Sequence, residues 1–308
     1  MKISRIGGVI AAASQKAAEP LLQIGSISII KRIVITFQQA GIFPIVVVTG
    51  TEEDEVKYQL SSYGVIFVHN QNCEQPELID SVKIGLNYLS GKCDRIVFTP
   101  VNVPMFTPDT LIHLITARGD IVTPSYKNKC GHPIVFSEMA APQIIAYSGT
   151  GGLRNAISDM ADQRTFVSVD DPGILFSVRD SSQLENYLSV HNRSLLHPTV
   201  DLSLQKESIF FNTRTKLLLY LIYDTHSVRK SCNLMALSYG KAWDMLNDLE
   251  EETGYPVVAR RHGGSRGGKT TLTSRGLQFL KNWQLLEDDI FRFSQKEFTS
   301  LFRKTGLF

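Results

Sequence analysis

The sequence predicts two domains: a doubly wound α/β layer with a mostly parallel sheet, then a smaller helix-rich domain with a long final helix. Three observations carry this. Short apolar runs alternate with amphipathic stretches up to Val122, the pattern of strands covered on both faces by helices. Beyond residue 212 the pattern changes to capped helices and a glycine-rich basic hairpin. The charge also changes sign: residues 208–308 carry 15 Lys+Arg against 10 Asp+Glu, and residues 1–207 carry 17 against 20. Boundaries are placed at 1–191, a linker at 192–212, and 213–308.

Bulk composition excludes several classes. Hydrophobic content of 43% and charged content of 20% fit a soluble globular chain rather than a disordered one. Cys73, Cys93, Cys130 and Cys232 form no CxxC pair, so a disulfide framework or zinc site is not expected and a reducing cytoplasm is. No apolar run has the length of a membrane span, and no signal peptide is read at the start.

Taken in order, residues 9–13 read as the first strand, following Gly7-Gly8. Residues 26–40 read as a helix with Ile29, Ile30, Ile33, Val34 and Phe37 on one side. Residues 42–49 form a second, almost wholly apolar strand, 52–63 a charged helix, and 65–68 a third strand. Leu78–Leu89 is a helix, 95–99 a strand, Pro108–Thr116 a helix, and Ile121-Val122 a short strand. Such sheets bind nucleotides at the C-terminal ends of their strands. Further on come a strand entry at Gly131-His132-Pro133, a glycine cluster at residues 149–152 leading into a helix, and Asp170-Asp171, read as a solvated turn. Residues 192–212 are polar and Leu-rich without clear period, and His197-Pro198 marks a break.

In the C-terminal part, Ser227 can cap a helix over residues 228–235, Ala236-Leu237 makes a turn, and Ser238 can cap a second helix to about Glu252. Ala242, Met245, Leu246 and Leu249 share its core-facing side. A strand at residues 256–259 leads into a tip with four glycines and the cations Arg260, Arg261, Arg266 and Lys269; residues 270–272 return, and Thr273 caps the final helix. Helix, turn, helix and basic hairpin in this order are expected to read DNA, with the start of the second helix toward the bases and the hairpin on phosphates. The candidate contacts are Ser227, Ser238, Tyr239, Lys241, Asp244, Arg260, Arg261, Arg266 and Lys269. Leu277, Leu280, Leu285, Leu286, Ile290 and Phe293 make the final helix apolar over a wide arc, so a homodimer paired through it is expected.

Ser238-Tyr239, Ala242-Trp243, Gly254-Tyr255-Pro256, Arg260-Arg261, Gly263-Gly264 and Leu272-Thr273 resemble the winged helix-turn-helix of ModE-type regulators, whose general plan LysR-type regulators share. The earlier part resembles the molybdenum-cofactor nucleotidyltransferases, of the MobA and molybdopterin cytidylyltransferase type. The matching residues are Ile10-Ala11-Ala12, Pro20-Leu21-Leu22, Asn70, Ser81, Thr99-Pro100, Val103-Pro104, Gly131-His132-Pro133 and Asp171-Pro172-Gly173. That resemblance implies CTP or GTP with Mg²⁺ as cofactors and a phosphorylated pterin as acceptor. It also implies ligand-binding candidates at Ala11, Ala12, Lys16, Asn70, Ser81, Asn102 and His132. Each has a plainer reading: Asn70 as a turn residue, Ser81 as a helix cap, His132 as a structural turn residue.

Three implied features are altered. The loop after the first strand lacks the family's glycines, and Glu19 falls where the family lysine is expected. Asn102 replaces an aspartate that the resemblance implies for the metal; where a second is expected, the simplest alignment places Ser177 and Arg179, and only Asp180 remains nearby. Neutral groups are poor Mg²⁺ ligands. The expectation is therefore a DNA-binding regulator, linked to molybdenum metabolism, whose transferase-like domain is inactive and acts as a ligand sensor or dimerisation body. The alternative is an active Mg²⁺-dependent nucleotidyltransferase with an appended regulatory domain.

Overall fold

The computed structural model of the chain describes residues 6–13, 20–72, 77–178, 184–261 and 269–303. Contacts divide it into two units, residues 1–59 with 68–196 and residues 60–67 with 197–308. The chain runs through β1 (Ile6–Ala11), β2 (Gln23–Ile24), β3 (Ile27–Ser28), α1 (Ile29–Gln39), β4 (Ile45–Thr49), α2 (Glu53–Leu60), β5 (Ile66–His69), α3 (Leu78–Leu89), β6 (Arg95–Pro100) and α4 (Pro108–Thr116). It continues with β7 (Ile121–Tyr126), β8 (Lys129–Cys130), β9 (Ile134–Ser137), α5 (Ala140–Ala146), α6 (Gly152–Ser158), β10 (Arg164–Ser168) and α7 (Leu184–Ser194).

One sheet takes the order β10-β7-β9-β6-β1-β4-β5, with β8 paired to β7. β1 is parallel to both β4 and β6, and β10 is parallel to β7. β9 lies antiparallel between β6 and β7. The sheet is therefore mixed, with a parallel half around β1.

β1 shows why the strand starts earlier than residue 9. A side chain on Gly8 would meet Phe37 of α1 at 2.6 Å, and one on Gly85 of α3 would meet Val9 at 2.3 Å. Neighbouring β1 residues thus face helices on opposite sides of the sheet. The Gly7-Gly8 pair is an adaptation to that close packing rather than a break before the strand. The predicted helix at 26–40 begins at Ile29, because β2 and β3 form a small ribbon before it. The predicted strand at 42–49 begins at Ile45, after Pro44, which has no N–H for a ladder. Ile121-Val122 is the start of a six-residue strand.

The second unit begins with β11 (Leu204–Gln205) and β12 (Ile209–Phe211), an antiparallel ribbon inside the stretch read from sequence as a linker. There follow α8 (Thr213–Thr225), α9 (Val228–Leu234), α10 (Tyr239–Thr253), β13 (Val258–Arg261), β14 (Lys269–Leu272) and α11 (Ser274–Phe298). α8 is the core helix: Leu217, Leu218, Leu219, Tyr220, Leu221 and Ile222 are all buried. Phe211 is fully buried and packs edge-on against Phe279 at 4.8 Å and Trp283 at 4.7 Å. Lys216 is buried and pairs with Glu287 of α11 at 2.5 Å. Among the described residues no helix is long and apolar enough to cross a membrane.

Candidate functional site

In the first unit Ala12, Asn70 and Asn102 stand on the turns that follow β1, β5 and β6, Ala11 ends β1, Ser81 lies in α3, and His132 lies between β8 and β9. Lys16 and Glu19 lie outside the described residues. Ala11 and Ala12 are buried, and their backbone is committed. Ala12 N donates to Val48 O at 2.9 Å, and Ala11 O accepts from Val101 N at 3.0 Å. Asn70 and Ser81 are both buried and meet each other, with Asn70 Nδ2 donating to Ser81 Oγ at 3.4 Å. Asn70 Oδ1 also accepts from Asn72 N at 3.0 Å, so Asn70 shapes its own turn. Ser81 sits inside α3, where Glu77 holds the N-cap position. Its predicted capping role is corrected by that placement.

Asn102 and Ser177 come together although 75 residues separate them: Asn102 Nδ2 donates to Ser177 Oγ at 3.4 Å. Val178 N donates to Asn102 O at 3.0 Å, which fixes the two turns side by side. An amide and a hydroxyl bonded to each other stand where the resemblance implies two metal-holding carboxylates. Among the described residues no cluster of His, Cys, Asp and Glu could hold a metal. The described residues at this corner, Asn102 and Ser177, do not fit Mg²⁺, which takes carboxylate oxygen; Asp180 lies outside the described residues.

Asp171 organises this corner, and the reading of it as a solvated turn is corrected. It is buried, with Oδ2 accepting from Thr107 N at 2.8 Å and Thr110 Oγ1 at 2.7 Å, and Oδ1 accepting from Gly173 N at 2.9 Å. Its charge is spent on closing turns and holding the start of α4. Gly173 must be glycine, because a Cβ there would lie 1.9 Å from Met105 O. His132 N donates to Ile174 O at 3.0 Å, so a third turn joins the corner. The His132 ring lies edge-on to Phe98 at 5.8 Å, and burial lowers its pKa to about 4. It is neutral near pH 7. Its Nδ1 is buried and has no partner among the described residues.

In the second unit, Ser227 Oγ accepts from Lys230 N at 3.3 Å and Ser238 Oγ accepts from Lys241 N at 3.3 Å. Both serines are therefore helix caps. Between the helices Ala236 takes φ +51°, and Leu237 N donates to Cys232 O at 3.0 Å, closing a tight turn. α10 buries Ala242, Leu246 and Leu249. It exposes Tyr239, Gly240, Lys241, Asp244, Asn247 and Asp248. Glu250 ties β13 to α10, its Oε1 accepting from Val257 N at 2.8 Å and Val258 N at 2.9 Å. β13 and β14 pair antiparallel, Arg260 opposite Thr270 and Arg261 opposite Lys269. Arg266 and the hairpin tip lie outside the described residues.

Sequence reasoning missed an arginine–aromatic row across this face. The Arg229 guanidinium lies 5.5 Å from the Tyr239 ring, Tyr239 stands 6.0 Å from Trp243, and Arg260 lies 4.0 Å from Trp243. Arg260 also donates to Asn247 Oδ1 at 3.3 Å. Tyr239, Trp243 and Asn247 are spaced four apart, a signal that could have found the row. Arg260, expected on the hairpin's phosphate-facing side, is held against α10.

Residues 8–165 match the MobA-like NTP transferase domain family. The chain is 33% identical over 81 residues to the transcriptional regulator ModE of Yersinia pestis, 26% of this chain and 31% of that protein. It is 29% identical over 82 residues to ModE of Haemophilus influenzae, 27% of this chain and 32% of that protein. It thus spans about a third of the length of these regulators. A nucleotidyl transferase from Methanothermobacter thermautotroptrophicus superposes with a TM-score of 0.52 at 21% identity, over 61% of this chain and 98% of that one. A protein from Mycobacterium sp. strain JC1 gives 0.51 at 21% identity, over 63% and 99%. At this identity these two likenesses speak to the fold alone.

Proposed function

The chain belongs to the MobA-like NTP transferase domain family, and from that premise we propose that it is a DNA-binding transcriptional regulator whose transferase-like unit no longer transfers nucleotides. The α9–turn–α10 pair with its β13–β14 ribbon is read as a winged helix-turn-helix. The observation that carries DNA binding is the face of α10. A capped helix start presents Tyr239 and Lys241 outward beside a ribbon bearing Arg260, Arg261 and Lys269. A helix start in that position suits the major groove, and the ribbon cations suit phosphates. The partial similarity to two ModE regulators supports the same reading. Duplex DNA is the partner, the chain acts as a homodimer, and the cytoplasm is its compartment.

Loss of transfer rests on the Asn102–Ser177 contact. Nucleotidyl transfer needs developing charge to be met by a metal or by fixed cations, and two neutral groups bonded to each other offer neither. In this reading the unit serves the regulator as a dimerisation body or as a sensor of a nucleotide or pterin held without Mg²⁺. The two resemblances together point to molybdenum metabolism.

Both parts can be tested on the full chain. Selection from a randomised duplex pool is expected to enrich a short sequence motif; a pool that stays random would sink the DNA reading. Incubation with CTP or GTP, Mg²⁺ and a phosphorylated pterin is expected to release no pyrophosphate above a heat-killed control. Release that depends on Mg²⁺ would restore the transferase.

A further inference from the structure

The arginine–aromatic row along α10 has an arginine at each end, and the two are held differently. Arg229 comes from α9, and its guanidinium makes one loose contact, 5.5 Å from the Tyr239 ring. Arg260 comes from β13 and is fixed twice. Its guanidinium lies 4.0 Å from the Trp243 ring, and Nη2 donates to Asn247 Oδ1 at 3.3 Å. The ring contact sets the plane of the guanidinium, and the bond to Asn247 sets its rotation in that plane. Trp243 is half-buried, while Arg260 and Asn247 are exposed. The fork is thus ordered in the free protein and still reaches water. That arrangement suits a base edge better than a phosphate. A phosphate is met by charge, and a lysine serves it as a point charge. A guanine presents two acceptors, O6 and N7, in one plane, and a planar fork meets both at once. A guanidinium has five N–H donors, so the bond to Asn247 leaves enough for a bidentate contact. Fixing the plane beforehand reduces the entropy lost on that contact.

We infer that Arg260 reads a guanine in the major groove, with Trp243 and Asn247 as the positioning residues that aim it. This rests on the DNA-binding reading above and deepens it, because it takes Arg260 out of the ribbon's phosphate-binding set and makes it a determinant of sequence. Asn247 stands eight residues beyond Tyr239, about 12 Å along α10 at 1.5 Å per residue. The guanine therefore lies outside the base pairs that Tyr239 and Lys241 face at the start of the helix. Arg229 is the counterpart at the other end of the row. The first helix of such a pair crosses the DNA backbone, so Arg229 meets phosphate and a lysine can stand in for it.

The test is duplex selection from a randomised pool by the full chain, as wild type, Arg260→Lys, Asn247→Ala and Arg229→Lys, with a salt titration of each on the selected duplex. Lysine keeps the charge and loses the fork. The wild type is expected to enrich a motif with one fixed G·C pair that depends on Arg260. Arg260→Lys is expected to lose about tenfold of the preference for that pair, while the rest of the motif and the salt slope stay as they were. Asn247→Ala is expected to relax the same pair severalfold, which a merely structural asparagine would not do. Arg229→Lys is expected to leave both motif and slope unchanged. All three side chains are exposed, so thermal unfolding midpoints are expected to hold; where Arg260→Lys lowers its midpoint, the pair relaxed by Asn247→Ala decides. A wild-type pool that stays random would remove the DNA reading and this inference together. A motif that Arg260→Lys leaves unchanged, or weakens equally at every position, would make Arg260 a phosphate contact and overturn this inference alone.

Discussion

The two units spend their polar groups in opposite ways. In the first, side chains standing where chemistry is expected are turned inward and satisfied by each other: Asn70 with Ser81, Asn102 with Ser177, and Asp171 with Thr107 and Thr110. In the second, Ser227 and Ser238 are spent on helix ends, and the start of α10 is left open: Tyr239, Lys241 and Asp244 are exposed. Paired in this way these groups serve the fold, because a buried polar group without a partner costs about 1–3 kcal/mol. The polar groups on the open face of α10 stay in water.

That contrast is expected to show first with acid. His132 and His191 both belong to the first unit and have pKa values lowered to about 4. Burial is the main cause in each; at His191 the Arg32 charge adds to it. Arg32 Nη1 lies 3.1 Å from His191 Nδ1, and His191 Nε2 lies 3.0 Å from Phe106 O. A guanidinium only donates, so Nδ1 accepts and Nε2–H donates to Phe106 O, the neutral tautomer. A histidine with a depressed folded pKa stabilises fully above its unfolded value and loses that contribution as pH falls through the window from about 6.5 to 4. Each group is expected to cost the first unit on the order of 3 kcal/mol across that window. Both tryptophans, Trp243 and Trp283, lie in the second unit, so their fluorescence reports it separately from circular dichroism of the whole chain. Urea unfolding at pH 7 and pH 4.5 should move the circular-dichroism transition more than the fluorescence transition. Equal movement of both would break the comparison.

The second unit has its own weak point at Glu250, one carboxylate oxygen that holds two ribbon N–H groups. Glu250→Ala is expected to destabilise that unit by about 3 kcal/mol, the sum of two hydrogen bonds to a charged group. The tryptophan transition should shift and the first unit's should not. A variant as stable as wild type would mean that β13 is held by other contacts.

A smaller effect is expected at the turn between α9 and α10. Ser238→Ala removes the cap of α10 and is expected to cost about 1 kcal/mol of stability. Because that cap also sets the angle at which Tyr239 and Lys241 face outward, duplex affinity should fall along with it. Unchanged duplex binding would place the DNA contacts elsewhere on the unit.

Much of this was legible in the sequence because the signals were local. Ser227, Ser238 and Thr273 cap the helices that their positions predicted, and the alternation of short apolar runs pointed to the sheet around β1. What was missed depended on distant partners. α8 shows no amphipathic period because Leu217 to Ile222 are buried on every side. The first strand was started at residue 9, after Gly7-Gly8, because the helices crowding those glycines are contributed from elsewhere in the chain. Asp171 read as solvated because Thr107 and Thr110, which bury it, lie about sixty residues earlier. Asn102 and Ser177 were singled out separately by resemblance, and it is the fold that brings their side chains within 3.4 Å.

The measurement that tests the central claim most directly is a salt titration of duplex binding by the full chain, wild type against a variant with Arg260, Arg261, Arg266 and Lys269 all replaced by Gln. Each neutralised phosphate contributes about 0.9 to the slope of log affinity against log salt. The wild type is expected to bind duplex with a steep negative slope. The variant is expected to bind more weakly, with a slope shallower by about 0.9 for each phosphate that it no longer neutralises. A wild type that shows no salt-dependent duplex binding, or a variant whose slope is unchanged, would contradict the account.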